Sequence, residues 1–304
     1  MRVRPLRWVC RALAVSAALV ATACDRAPVA GADGAAHTSP GPDGFPRVVA
    51  TPLGDVLVPA RPRRLVPANA PAADFAIALL GDEAHACIAL LSPETVLYSH
   101  LATQLAPWPQ QRAGAHGAEY VLSAEPDLVF DADWQDAGTR ARLWRAGVPV
   151  VTLPTVVDVA DMWAALELAG RALGAEERAA ELVTSLMAKV AALGARGAAR
   201  GESVLFYSNL GSGGSAAGAH TTSALLVSIA GLVNAAADLD GHVECSHELL
   251  IALDPDWIVV GESGAGETGT TRRHLTEHTD LAVLRAVAGG RIAELPRTLA
   301  TSSS

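Results

Sequence analysis

Cysteine is scarce in this chain: four occur in 304 residues, and two of them, Cys10 and Cys24, lie within the first 24. The other two, Cys87 and Cys245, fall in opposite halves. A bridge between them would lock the halves together, so they read as buried single thiols. Long apolar runs are lacking too. The one run near the start, Ala12 to Ala23, is about a dozen residues, too few to span a bilayer as a mature helix. Positive charge is the third shortage. Without Arg2, Arg4, Arg7 and Arg11, 19 basic residues face 32 acidic ones, a net of about −13. That balance disfavours nucleic acid and anionic membrane surfaces as partners. What remains is long enough for about two domains, with ample apolar residues for two cores.

The first eleven residues carry the basic start of an export signal and Ala12–Ala23 its apolar stretch, so residues 1–23 are expected to be a signal peptide. Ala21-Thr22-Ala23 fits an ordinary cleavage site. Val20-Ala21-Thr22-Ala23-Cys24 resembles a lipoprotein box with Ala where Leu is usual. The lipoprotein reading is preferred, because Cys24 would otherwise be an exposed free thiol. Lipidation at Cys24 would anchor the chain to a membrane. Residues 24–44 have almost nothing to bury and read as a flexible tether, with an end-to-end distance of roughly 25 Å.

One pattern occurs twice, 129 residues apart: Glu119-Tyr-Val-Leu-Ser-Ala-Glu-Pro126-Asp127-Leu-Val-Phe130 and Glu248-Leu-Leu-Ile-Ala-Leu-Asp-Pro255-Asp256-Trp-Ile-Val259. Each reads as helix, stop, strand. The residue before a proline is pushed out of the α region, so the helices end near Glu125 and Asp254, and the apolar runs suit buried parallel strands. A helix feeding a strand starts at the carboxyl edge of its sheet, the edge where ligands bind. Glu119 and Glu248 are therefore expected on matching rims of two α/β lobes.

The remaining sequence fits this division. From Phe45 to Ala60 the pattern Arg-Val-Val-Ala-Thr-Pro-Leu-Gly-Asp-Val-Leu-Val-Pro suggests a small hairpin turning at Gly54-Asp55. The N-terminal α/β lobe, residues 45–156, is expected to carry strands at Arg64–Ala68, Ala86–Leu91, Asp127–Asp131 and Val148–Leu153, with helices at Ala72–Leu80, Glu119–Ala124 and Thr139–Ala146. Residues 157–199 are nearly all helix formers, and Gly174 divides two helices, the second long enough to join the lobes with small lobe movements. The C-terminal α/β lobe, residues 200–304, repeats the alternation: Ser203–Ser208, Trp257–Gly261 and Arg291–Leu295 as strands, Thr222–Ala230, Glu248–Leu253 and Leu281–Val287 as helices. The fold class is thus α/β, with two doubly wound lobes joined by a single long α-helix and a ligand cleft between them.

Five segments in this order carry a family resemblance. They are Arg63-Arg64-Leu65-Val66; Ala118-Glu119-Tyr-Val-Leu-Ser-Ala-Glu-Pro-Asp-Leu-Val; Ala230-Gly231-Leu-Val-Asn234-Ala-Ala; Ser246-His-Glu248-Leu-Leu-Ile-Ala-Leu-Asp-Pro-Asp; and Leu284-Arg-Ala-Val-Ala-Gly-Gly-Arg-Ile. From about Arg47 to Pro296 the chain resembles the substrate-binding proteins of ABC importers for ferric siderophores, haem and cobalamin, which have two α/β lobes joined by one long helix. The resemblance implies a binding protein rather than an enzyme. It implies a metal-chelate ligand, with no cofactor of the protein's own, and a monomer that docks on an ABC permease and its ATPase. In the family a glutamate on each lobe pairs with permease arginines, and Glu119 and Glu248 match those positions. Members usually continue past the last strand into a helix that packs back across the lobes. This sequence stops at Thr301-Ser-Ser-Ser304, so either that helix is absent or the sequence is a fragment.

Loops after strand carboxyl ends are expected to line the cleft: Asn69, Tyr98, His100, Asp133 and Trp134 in lobe one, Tyr207 and Asn209 in lobe two. Tyr98, Trp134 and Tyr207 offer aromatic faces to a planar macrocycle. Other signals compete with this reading. His274-Leu-Thr-Glu277-His278 matches a zinc-peptidase arrangement of two histidines and a general base. Such a site needs a further ligand well downstream, and only 26 residues follow His278, with Glu294 the one distant carboxylate. A solvated loop and helix start is the preferred reading. His242-Val-Glu244-Cys245-Ser-His247 packs four potential ligands into six residues. A polar loop entering the Glu248 helix is the expected structure; with His100, His116 or Asp133 from the other lobe the cluster would instead suit a bare divalent metal as cargo. Gly211-Ser-Gly213-Gly-Ser-Ala216 loosely fits a dinucleotide fingerprint, but the next helix starts near Thr222, too late to hold a pyrophosphate, so a backbone loop is expected.

Overall fold

The computed structural model describes residues 41, 43–92, 95, 99, 101–105, 107–108, 117–209, 214–261 and 270–295. The signal peptide, the tether before residue 41, Cys24, Tyr98, His100, His116, Gly211–Gly213 and the last nine residues lie outside that set.

The described chain opens with an antiparallel hairpin of β1 (Arg47–Thr51) and β2 (Gly54–Val58). It turns at Pro52-Leu53, two residues before the expected place. Proline supplies the fixed φ of the corner, and Gly54, at φ 120°, takes the conformation that side chains resist.

In lobe one, β3 (Leu65–Pro67), β4 (Leu128–Ala132) and β5 (Val150–Leu153) form a parallel sheet in that order, and every residue of the three strands is buried. Around it stand α1 (Ala70–Leu80), α2 (Ala84–Cys87), α3 (Ala102–Leu105), α4 (Ala118–Ser123) and α5 (Ala137–Arg145). Two-sided burial explains why these strands read as unbroken apolar runs. The strand expected at Ala86–Leu91 does not form. Helix α2 occupies its start, Ile88 makes a single bridge to Leu65, and the Ser92 and Thr95 hydroxyls meet at 2.9 Å in the turn that follows. Too few residues are left to pair.

Two helices separate the sheets. Helix α6 (Val159–Leu173) starts at Asp158 in a reciprocal capping arrangement with Asp161 and stops at Gly174, which is left-handed with φ 69°. Helix α7 (Glu176–Ala198) has 23 residues, about 34 Å of rise. Near its start Ala179 packs against Gly170 of α6, where a Cβ would lie 2.6 Å away. At its other end Gly197 lies against the backbone at Ala230, and the Gly194 carbonyl lies against Gly231.

In lobe two, β6 (Ser203–Asn209) is the hub. Parallel to it run β10 (Trp257–Gly261) and, through its first residues, β8 (Val233–Asn234); β11 (Ile292–Leu295) extends β10. The carboxyl half of β6 pairs antiparallel with β7 (Gly214–Ala217), which pairs with β9 (His242–Glu244). This antiparallel arm replaces the loops expected from Gly214 to Ala216 and from His242 to Cys245. Helices α8 (Thr222–Ile229), α9 (His247–Leu253), α10 (Thr270–Glu277) and α11 (Arg285–Ala288) complete the lobe. The helix expected at Leu281–Val287 is divided into a 3-10 turn, Thr279–Val283, and α11.

Candidate functional site

The repeated pattern folds the same way twice. In α4 and α9 alike, the glutamate is the second residue after the cap, which is Gly117 for Glu119 and Ser246 for Glu248. Both glutamates are exposed. The Ser246 hydroxyl holds the Glu248 carboxyl below the usual carboxylate range. Each helix stops at an acidic residue in the left-handed region, Glu125 at φ 47° and Asp254 at φ 32°, directly before its proline. The aspartate after each proline then accepts backbone N–H groups where the lobe's first strand begins. Asp127 binds Arg63 N and Arg64 N at 2.8 and 3.0 Å, and Asp256 binds Ser203 N at 2.9 Å. Those bonds hold Asp256 below the usual range. Arg64 donates to the Ala124 and Glu125 carbonyls, as Arg285 does to that of Asp254. In each pattern the Pro-Asp pair fastens the helix to the sheet, while the glutamate makes no such bond and faces solvent.

The loop after β4 carries Asp133 and Trp134 at the carboxyl end of the strand, as expected. Trp134 is 64% exposed, and Asp133 accepts a hydrogen bond from the Thr155 hydroxyl. Asn69 also follows a strand, but its amide is committed inward. Its Oδ1 caps α1 through Ala72 N, and its Nδ2 donates to Gln135 Oε1, both at 2.8 Å. Gln135, absent from the sequence reading, ties the carboxyl ends of β3 and β4 together through Ala68 O and Ala132 N.

Tyr207 is not at a rim. It is 2% exposed within the lobe-two core, because the alternation along β6 turns it inward and β7 covers it. Burial pushes its hydroxyl pKa up, and the hydroxyl meets Asn209 Nδ2 at 3.3 Å. Asn209 is itself buried at the end of β6. Its backbone N–H donates to the Thr271 hydroxyl at 3.0 Å, and its amide reaches His274 Nε2 at 3.1 Å.

The histidines gather differently from either sequence pattern. In β9 the side chains alternate, so His242 and Glu244 are exposed while Cys245 is buried, and burial pushes the Cys245 thiol up to about 11. Those residues do not converge. His247 instead meets His274, His278 and Asp280, with its Nδ1 on the Asp280 carboxylate and its Nε2 3.0 Å from His274 Nε2. Burial, then the neighbouring His278 and His247, lower the His274 pKa. The segment from His274 to Glu277 is helix, not loop. Glu277 is exposed and lies 3.9 Å from Arg273 on the same helix. Cys87 and Cys245 are single buried thiols, as the sequence suggested.

A cavity of about 390 Å³ lies between the end of α7 and the amino-terminal half of β6 and β10, lined by Leu193, Arg196, Val204, Leu232, Trp257 and Val259. It is remote from the strand carboxyl ends. Among the described residues no helix is long and apolar enough to cross a membrane.

No curated protein matches the chain. Solved structures do. A periplasmic haem-binding protein from Pseudomonas aeruginosa is 26% identical, with 78% of this chain and 85% of that one covered and a TM-score of 0.64. An ABC-type Fe3+-hydroxamate transport protein from Saccharomonospora viridis is 24% identical over 83% of this chain and 91% of that one, with a TM-score of 0.63. The molybdate periplasmic binding protein of a Haemophilus influenzae ABC transporter shares the fold at 18% identity, covering 83% of each chain, with a TM-score of 0.66. The periplasmic binding protein family is matched across residues 90–299, and with the two α/β lobes and their paired helix, Pro-Asp and strand units, the chain belongs to that family.

Proposed function

We propose that this protein captures a metal chelate, of the ferric siderophore, haem or cobalamin type, outside the cytoplasm and delivers it to an ABC permease. The observation that carries the reading is the matched placement of Glu119 and Glu248. Each is exposed at the second position of a short helix, and the rest of each repeat is consumed in fastening that helix to its lobe. Two carboxylates on a rigid scaffold suit docking against arginines, where they fix register more than they add affinity. Family relatives described as haem-binding and Fe3+-hydroxamate transport proteins support a chelate as cargo. Trp134, open at the end of β4, supplies an aromatic face for a macrocycle, with Asp133 beside it in sequence. Tyr207 has no part in this surface. Cys24 is proposed as the lipidated mature N-terminus, holding the body at the membrane through the tether.

Calorimetry of the purified protein against haem, cobalamin and ferric hydroxamates tests the reading. One class is expected to bind with micromolar affinity or better, about −8 kcal/mol, and to raise the melting temperature by mass action. Trp134→Ala should weaken that binding. Absence of binding to every chelate, with tight binding of molybdate or a bare divalent ion, would replace the chelate as cargo.

A further inference from the structure

Lobe two gathers a set of ligand atoms that chelate capture does not use. His247 opens α9, His278 follows the last residue of α10, and Asp280 sits in the 3-10 turn beyond it. One ligand atom from each of the three lies within 4.8 Å of the others. His274, one turn earlier on α10, closes the group from behind. The three imidazoles are in mutual contact, with ring centroids 4.3 to 5.1 Å apart. Hydrophobic packing does not account for this gathering, since His278 and Asp280 are exposed and His247 is half-buried.

We propose that His247, His278 and Asp280 form a binding site for a transition-metal ion of the Zn2+ type, with His274 or a water in the fourth position. Two imidazole nitrogens and one carboxylate oxygen suit Zn2+, Ni2+ or Cu2+, whereas Mg2+ and Ca2+ require an oxygen shell. Bonds of about 2.0–2.1 Å require the ligand atoms to re-space around the ion, with His278 Nδ1, now 3.9 Å from Asp280 Oδ1, drawn in. Rotation of the exposed His278 and Asp280 side chains supplies that closure. All the ligands come from lobe two, so the ion is held without the other lobe, and the site is independent of the chelate reading. Asp280 and His247, neither of which belongs to the His-x-x-Glu-His pattern, take the place of the downstream ligand that pattern lacks.

The test uses the purified full chain, stripped of metal and titrated with Zn2+ by calorimetry and with Co2+ by visible absorption. One ion per chain is expected, with the intense visible bands of four-coordinate Co2+. His278→Ala and Asp280→Ala should each weaken Zn2+ binding by at least about tenfold. His247→Ala combined with His278→Ala should abolish it, and His220→Ala should leave it unchanged. Melting curves of the metal-free variants identify any that fail to fold. His278→Gln, at an exposed position beyond the helix, carries the comparison if His247→Ala does not fold. Absence of Zn2+ and Co2+ binding, or binding unaltered in His278→Gln and Asp280→Ala, overturns the site. Neither result bears on chelate binding, which is read separately through Trp134.

Discussion

The buried pair of Asp131 and Arg140 shows how one residue can decide stability near the expected cleft. Asp131, next to last in the buried strand β4, meets Arg140 Nε at 2.5 Å, and Arg140 also donates to Ala132 O at 2.8 Å. Among the described residues Asp131 Oδ1 and Thr152 Oγ1 find no hydrogen-bond partner of good geometry, although the nearby Thr152 hydroxyl still favours the ionised carboxylate. Burial pushes the Asp131 carboxyl up despite the guanidinium. The folded state therefore keeps this proton to higher pH than the unfolded chain does, so its contribution is full below the usual carboxylate range and is lost as pH rises through the raised value. Arg140→Met leaves an unpaired buried carboxylate and should cost about 3–5 kcal/mol at neutral pH. Chemical denaturation at several pH values should show the deficit shrinking as pH falls and Asp131 takes up its proton. A deficit independent of pH would assign the loss to packing instead.

At the scale of elements, helix α7 meets lobe two through glycine rather than through side chains. A Cβ on Gly197 would lie 1.7 Å from the Ala230 carbonyl oxygen, whereas one on Gly194 would meet nothing closer than 3.7 Å. Gly197→Ala forces the helix off α8 and should destabilise by about 1–3 kcal/mol. Gly194→Ala should be neutral, or stabilising by up to about 1 kcal/mol, since alanine is the better helix former. Thermal melts of the two variants side by side check the contrast. Equal losses would mean that the close approach does not govern the junction. The same contact gives a physical reason for Ala230-Gly231 within the family resemblance: Gly231, at φ 69°, brings its backbone against Gly194.

For the whole molecule, the two exposed glutamates are poor candidates for holding anything together, because single exposed ion pairs contribute roughly 0–1 kcal/mol. Their expected use is recognition. Glu119→Arg combined with Glu248→Arg should leave folding and chelate affinity near those of the unaltered protein while abolishing stimulation of the partner ATPase in reconstituted vesicles. Loss of chelate affinity with stimulation retained would move both residues from docking to ligand binding.

The sequence by itself determined the local grammar of the chain. Pro126 and Pro255 stop two helices, the apolar runs after them are buried parallel strands, Gly174 breaks the helical stretch, and the two single cysteines are buried. Each of these follows from backbone sterics or from burial within a few residues, which a sequence displays directly. Tertiary structure decided what depends on partners far along the chain. Gly214–Ala217 is a poor strand former, yet it pairs with β6 and β9, where a Cβ on Gly214 would strike the Cys245 carbonyl and the Tyr207 hydroxyl at 2.4 Å. That pairing buries Tyr207. Likewise His247 reads as part of a six-residue ligand run, but strand alternation disperses that run, and His247 instead meets residues of α10 and the turn beyond it. Periodicity shows which way a side chain faces along its own element. What it then meets is fixed only when remote elements pack.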